Sequence, residues 1–241
     1  MYPNAGGPPT GTLTFTSTQA GFIPQTVQLN GSGAAISNTF QLPGGTYPIT
    51  ASYNGDSTFA AETGTTTIYV GPEAANFTLS APSTATLGGS IAVTATVASA
   101  SGVGTPTGSI TTTLTGAANQ TQALTGSGTS SSAAFTFTAA QAGTLAVNAT
   151  CTGDASFTCS TPQNASVTVP KVTPTVTLAL STSTPVSGAS VTYTISATGV
   201  TGIAPTGTVA IMDNGTQVAT ITLPATLSLI PHLTLPTIYS V

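Results

Sequence analysis

Gly143 to Cys159 reads G-T-L-A-V-N-A-T-C-T-G-D-A-S-F-T-C. Alternating Leu145, Val147 and Ala149 predict a strand, Gly153-Asp154 a turn, and the residues beyond it the start of another strand. The same phrase stands 98 residues earlier, from Gly45 to Ala61, as G-T-Y-P-I-T-A-S-Y-N-G-D-S-T-F-A-A, with its turn at Gly55-Asp56. A second phrase has nearly the same period. Pro9-Thr10-Gly11, Pro106-Thr107-Gly108 and Pro205-Thr206-Gly207 are separated by 97 and 99 residues, and each opens an alternating strand. Further matched anchors are Gly89-Ser90-Ile91 with Gly188 to Val191, and Ile68-Tyr69-Val70 with Val167-Thr168-Val169. A period near 100 exceeds that of solenoid and propeller repeats, so each repeat is expected to be a domain in its own right.

The middle repeat, 71–170, holds a complete set of strand signals, at about 76–80, 89–98, 107–115, 119–124, 132–138, 143–152 and 160–169. Seven short alternating strands in about 100 residues predict an immunoglobulin-like β-sandwich. Its core is expected from Phe77, Leu79, Ile91, Val93, Val97, Ile110, Leu114, Leu124, Phe135, Phe137, Leu145, Val147, Ala149, Val167 and Val169, with Phe157 closing one end. The flanking repeats read as truncated. Residues 1–70 lack the two opening strands, and 171–226 carry only the first strands, with a hairpin turn at Asp213-Asn214-Gly215. The fold class expected is therefore all-β, as tandem immunoglobulin-like sandwiches. Residues 227–241 match nothing in the other repeats and resemble translated adapter sequence, so they are set aside as a non-native tail, a divergent strand being the alternative. The joints, Val70 to Ala74 and Val169 to Pro174, are short and contain proline, which makes them semi-rigid spacers.

Composition narrows the function classes. Thr occurs 53 times, and a β-branched polar residue suits the solvent face of a strand. Lys171 is the sole Lys or Arg, against Asp56, Glu62, Glu73, Asp154 and Asp213. Without a basic patch, neither nucleic acid nor an anionic membrane surface is an expected partner. No apolar run is long enough for a transmembrane helix, so membrane insertion is not expected. The N-terminus shows no signal peptide, which carries no weight if the chain is a fragment.

The phrases P-T-G-x-[VIL], D-N-G in the following hairpin, and A-G-T-x-x-[VI]-x-A-x-[YC]-x-G-D-x-x-F resemble the bacterial immunoglobulin-like repeat over residues 1 to about 224. That resemblance implies tandem units in a large secreted or cell-surface protein. Neighbouring repeats would be the partners, with spacing in support of adhesion as the role, or contact with a surface glycan or protein as a module accessory to a secreted enzyme. It brings no catalytic residues. The chain departs from the pattern at Leu145, where the first repeat has Tyr47, so no tyrosine-corner hydrogen bond is expected in the middle repeat.

Each chemically capable residue has a structural reading beside the functional one. Cys151 and Cys159 replace Tyr53 and Ala61 of the first repeat and flank the turn at a spacing that suits a disulfide, two free thiols being the alternative. Such a short loop adds at most about 2–3 kcal/mol. Asp56 and Asp154 lie in N-G-D-S and T-G-D-A, where a turn-closing carboxylate is favoured over a calcium ligand, which would need several acids together. The Gly31-Ser32-Gly33 and Gly126-Ser127-Gly128 phrases lack the lysine and helix of a phosphate loop and read as hairpin turns. The sole histidine is His232, in the tail, so no base accompanies the many hydroxyls. No catalytic residue, metal site or cofactor is expected. For glycan contact, Tyr2 and Tyr69 are the candidates.

Overall fold

The computed structural model describes residues 7–223, apart from Phe40, Ser160, Ser187, Gly188 and Ser190. Tyr2, His232 and the 227–241 segment lie outside the described residues. All regular structure described is strand.

In the first repeat, β1 (Thr12–Ser17), β2 (Gln25–Gln28), β3 (Gly45–Tyr53) and β4 (Glu62–Val70) form one antiparallel sheet in the order β2-β1-β3-β4. The joint contributes a two-residue strand, β5 (Glu73–Ala74). The middle repeat follows with β6 (Asn76–Ser80), β7 (Ser90–Ala98), β8 (Ser109–Leu114), β9 (Gln120–Ala123), β10 (Thr125–Ser127), β11 (Ser130–Thr138), β12 (Gly143–Cys151), β13 (Phe157–Thr158) and β14 (Gln163–Val169). The third repeat holds two hairpins, β15 (Thr175–Leu180) with β16 (Tyr193–Thr198), and β17 (Gly207–Asp213) with β18 (Thr216–Leu223).

The middle repeat makes two four-stranded sheets, β10-β11-β7-β6 and β14-β12-β8-β9, the pairing of an immunoglobulin-like sandwich. Alternation in sequence becomes alternation in burial. Along β7, Ile91, Val93, Ala95 and Val97 are buried, whereas Ser90, Ala92 and Thr94 face water. The neighbouring row on β11 and the facing rows of β12 and β14 complete one cluster that includes Phe135, Phe137, Leu145, Val147, Val167 and Val169. The predicted core residues belong to this cluster, with Leu79 partly buried at its edge. Threonines take the outer faces and pair across strands. Thr111 and Thr121 place their hydroxyls 2.9 Å apart, as Thr14 and Thr26 do at 3.1 Å in the first repeat.

The last strand starts later than the sequence suggests. Residues after the Gly153-Asp154 turn do not return along β12; Phe157 and Thr158 instead pair in parallel with Glu73 and Ala74, and β14 begins at Gln163. The incoming chain claims those backbone groups.

The sheet of the first repeat repeats the order of the middle repeat's second sheet, with β1, β2, β3 and β4 in the places of β8, β9, β12 and β14. The stretch corresponding to β11, residues 34–39, forms no strand, and Ile36 is 82% exposed. A strand there needs a neighbour equivalent to β7 to satisfy its N–H and C=O groups. In the third repeat, the two-residue turn Asn214-Gly215 has both residues at positive φ, +46° and +85°, as a type I′ hairpin requires.

Candidate functional site: the aspartate clamp and the cleft beside it

The two phrases that recur along the chain touch each other. Asp154 Oδ1 accepts the N–H groups of Ser156 (2.7 Å) and Phe157 (2.9 Å), closing the turn. Its Oδ2 accepts the N–H of Thr107 at 2.7 Å and the Thr107 hydroxyl. The first repeat builds the same clamp. Asp56 Oδ1 takes Thr58 and Phe59 N–H, both at 2.7 Å, and Oδ2 takes Thr10 N–H and hydroxyl at 2.8 and 3.0 Å. Each carboxylate thus holds its own turn with one oxygen and the P-T-G corner with the other.

The glycines follow from this geometry. Gly108 has φ +106°, and a Cβ there would come 2.6 Å from Gly153 O. Gly153, at φ +68°, packs its α-carbon side against the Phe157 backbone. Pro106 is buried, and its carbonyl accepts the buried Ser131 hydroxyl at 2.6 Å, which ties the corner to β11.

Electrostatics match a structural carboxylate. The N–H of Thr10, with those of Thr58 and Phe59, holds Asp56 well below the usual carboxylate range. For Asp154, partial burial pushes upward, but the Thr107 hydroxyl and three N–H groups outweigh it and the net direction is down. Both stay ionised at neutral pH with every oxygen engaged, which suits neither proton transfer nor metal capture. Among the described residues, no three His, Cys, Asp or Glu side chains gather.

A second latch differs between the repeats. In the first, the Tyr53 hydroxyl donates to Thr10 O at 2.9 Å, and loss of water together with the Asp56 carboxylate raises its pKa. In the middle repeat that position is Cys151, bonded to Cys159 across a Cα–Cα distance of 5.6 Å. Both cysteines pack against the core. Tyr47, fully buried, donates to Pro43 O at 2.7 Å, a corner bond that Leu145 cannot make.

Beside the middle clamp lies a cleft of about 720 Å³, walled by Gln41 to Gly44 and Val70 on one side and by Glu73, Val103 and Phe157 on the other. Glu73 was not singled out by sequence. Its Oε1 accepts the Ser99 hydroxyl at 2.6 Å and its Oε2 the Ser101 N–H at 3.1 Å, and the Ser99 bond leads in lowering its pKa. The signal available was its place: an acid at a proline-bearing joint in a chain with five acids. Phe157 is buried at this end, against Gly104. Tyr69, on β4, is 74% exposed, and Lys171 is exposed. The Gly31 to Gly33 phrase is a turn in which Asn30 Oδ1 accepts the Ser32 and Ala34 N–H groups, both at 3.0 Å.

A family match falls on the first repeat, which holds one clamp and its four-stranded sheet. Residues 2–71 match the bacterial Ig-like domain, group 3. The middle repeat carries the Ig-like arrangement of two facing sheets in full. No curated protein matches the chain. Eleven chains of solved structures match. One is domains 4–9 of the surface layer protein SbsC, at 13% identity and a TM-score of 0.28, covering 87% of this chain and 34% of that one. The present chain spans about a third of that structure.

Proposed function

We propose that this chain is a non-catalytic spacer: tandem Ig-like units, 1–70, 71–170 and 171–226, that carry a functional part of a bacterial extracellular or cell-surface protein away from its base in support of adhesion. The observation that carries the reading is the clamp. The groups best suited to chemistry, Asp56 and Asp154, are spent on holding a turn to a strand entry, once in each repeat that has the turn. The disulfide fits an oxidising compartment, where such bonds persist. The match of residues 2–71 to the bacterial Ig-like family points the same way.

A spacer bears load, so single-molecule pulling of the chain should give a reproducible unfolding event for the middle repeat. The two cysteines are eight residues apart in sequence and 5.6 Å apart in space. Reduction should therefore lengthen that event by about 20–25 Å, the reach of the released loop. Extension at negligible force, with no distinct event, would contradict the role.

A second reading, an Ig-like module that binds a surface glycan or protein, is favoured by one observation, the exposed ring of Tyr69 on β4. Glycan-array binding that disappears in Tyr69→Ala would establish it; an array without hits would remove the glycan form.

A further inference from the structure

The joint between the first and middle repeats is made largely of backbone. Residues 73–75 are fastened to the middle repeat. Glu73 N–H donates to Ser156 O and Ala75 N–H to Thr158 O, both at 2.9 Å, and the Thr158 hydroxyl donates to Glu73 O at 3.1 Å. The Glu73 carboxylate adds its bonds to Ser99 and Ser101. Gly71 and Pro72 remain as the span between β4 and this anchored strand, and proline fixes one of the torsions.

Across the span, the corner Pro43-Gly44 of the first repeat meets the Asp154–Ser156 turn of the middle one. Gly44 N–H donates to Ser156 Oγ at 2.9 Å, 112 positions away in sequence. A Cβ on Gly44 would overlap the carbonyl oxygen of Ala155, and would lie 2.6 Å from its carbon and 2.8 Å from Ser156 Cα. These are backbone atoms of a turn that Asp154 holds closed, so they cannot swing aside. Gly44 does not have a left-handed φ, so its own conformation does not demand glycine. The middle repeat has Ala142 at the corresponding corner, before Gly143 as Gly44 is before Gly45. The fold of a repeat therefore tolerates a side chain there; the neighbouring repeat does not.

We propose that Gly44 and the Asp154–Ser156 turn form a socket that fixes the first repeat in one orientation on the middle repeat. The clamp aspartate then has two tasks, closing its own domain and presenting the Ala155 carbonyl and the Ser156 hydroxyl to the preceding Ig-like unit. The next joint is of another kind. There a Cβ on Gly88 would meet the side chain of Val200, at 2.7 Å from Cγ1, a group that can rotate. The socket stands whether or not the chain serves as a spacer, because a fixed joint can belong to any multidomain protein.

Residual dipolar couplings of the complete chain test it. The wild-type amides of β1–β4 and of β6–β14 should fit one common alignment tensor, and Gly44→Val should split the fit into two tensors while chemical shifts away from the joint stay in place. Should Gly44→Val disturb the first sheet itself, Ser156→Val fills the same socket from the middle repeat's side and is read in the same way. Two tensors in the wild type, or one tensor surviving in a variant that keeps both sheets, would overturn the proposal.

Discussion

At the residue scale, the clamp predicts a specific acid sensitivity. Asp56 and Asp154 have folded pKa values below their ordinary ones. Their contribution is therefore complete above the unfolded value, near pH 4, and is lost as pH falls through the folded values. Asp154→Asn keeps an oxygen for Ser156 and Phe157 but turns N–H donors toward the Thr107 N–H. We expect a loss of about 1–3 kcal/mol at pH 7, together with a shallower fall in stability below pH 4, measured by urea unfolding across pH. An unchanged acid slope would show that the Asp154 carboxylate does not hold the two segments together. Thr112 makes the opposite prediction. It is fully buried on β8, and its hydroxyl has no hydrogen-bond partner among the described residues. Valine has the same shape without the polar atom, so Thr112→Val should stabilise by about 1 kcal/mol. A loss in denaturant midpoint would show that the hydroxyl is satisfied after all.

At the element scale, strands exist where both edges can be paired or solvated. The middle repeat has the two sheets that bury each other's inner faces, whereas the first has one sheet among its described residues, and its residues 34–39 form no strand. Expressed alone, residues 72–170 should unfold in one cooperative transition and 1–70 should not; cooperative unfolding of 1–70 would show that its sheet needs no partner layer. Much of this was legible in sequence, because alternation such as Ile91, Val93, Ala95, Val97 maps directly onto a buried face. The turn residues were legible too, since positive φ at Gly153 and Gly215 leaves little choice of side chain. What escaped was long-range. The diversion of Phe157–Thr158 to Glu73–Ala74, and the contact of Gly44 with Ser156, depend on segments far apart in sequence meeting in space. Period and alternation carry no trace of such meetings. Only the glycine at 44, set against Ala142, hinted at one.

At the scale of the whole molecule, one basic residue against five acidic ones leaves little for long-range electrostatics to do. Shape is what such a chain has to offer. Its joints are short, and the first is anchored by Glu73 and by the Gly44 contact, so repeats strung end to end should not fold back on each other. Small-angle X-ray scattering of the complete chain tests this most directly. A compact particle of 241 residues would have a radius of gyration of about 18 Å. An extended string of repeats should give a value well above that, with a distance distribution skewed to a long tail. A symmetric distribution and a radius near 18 Å would contradict it.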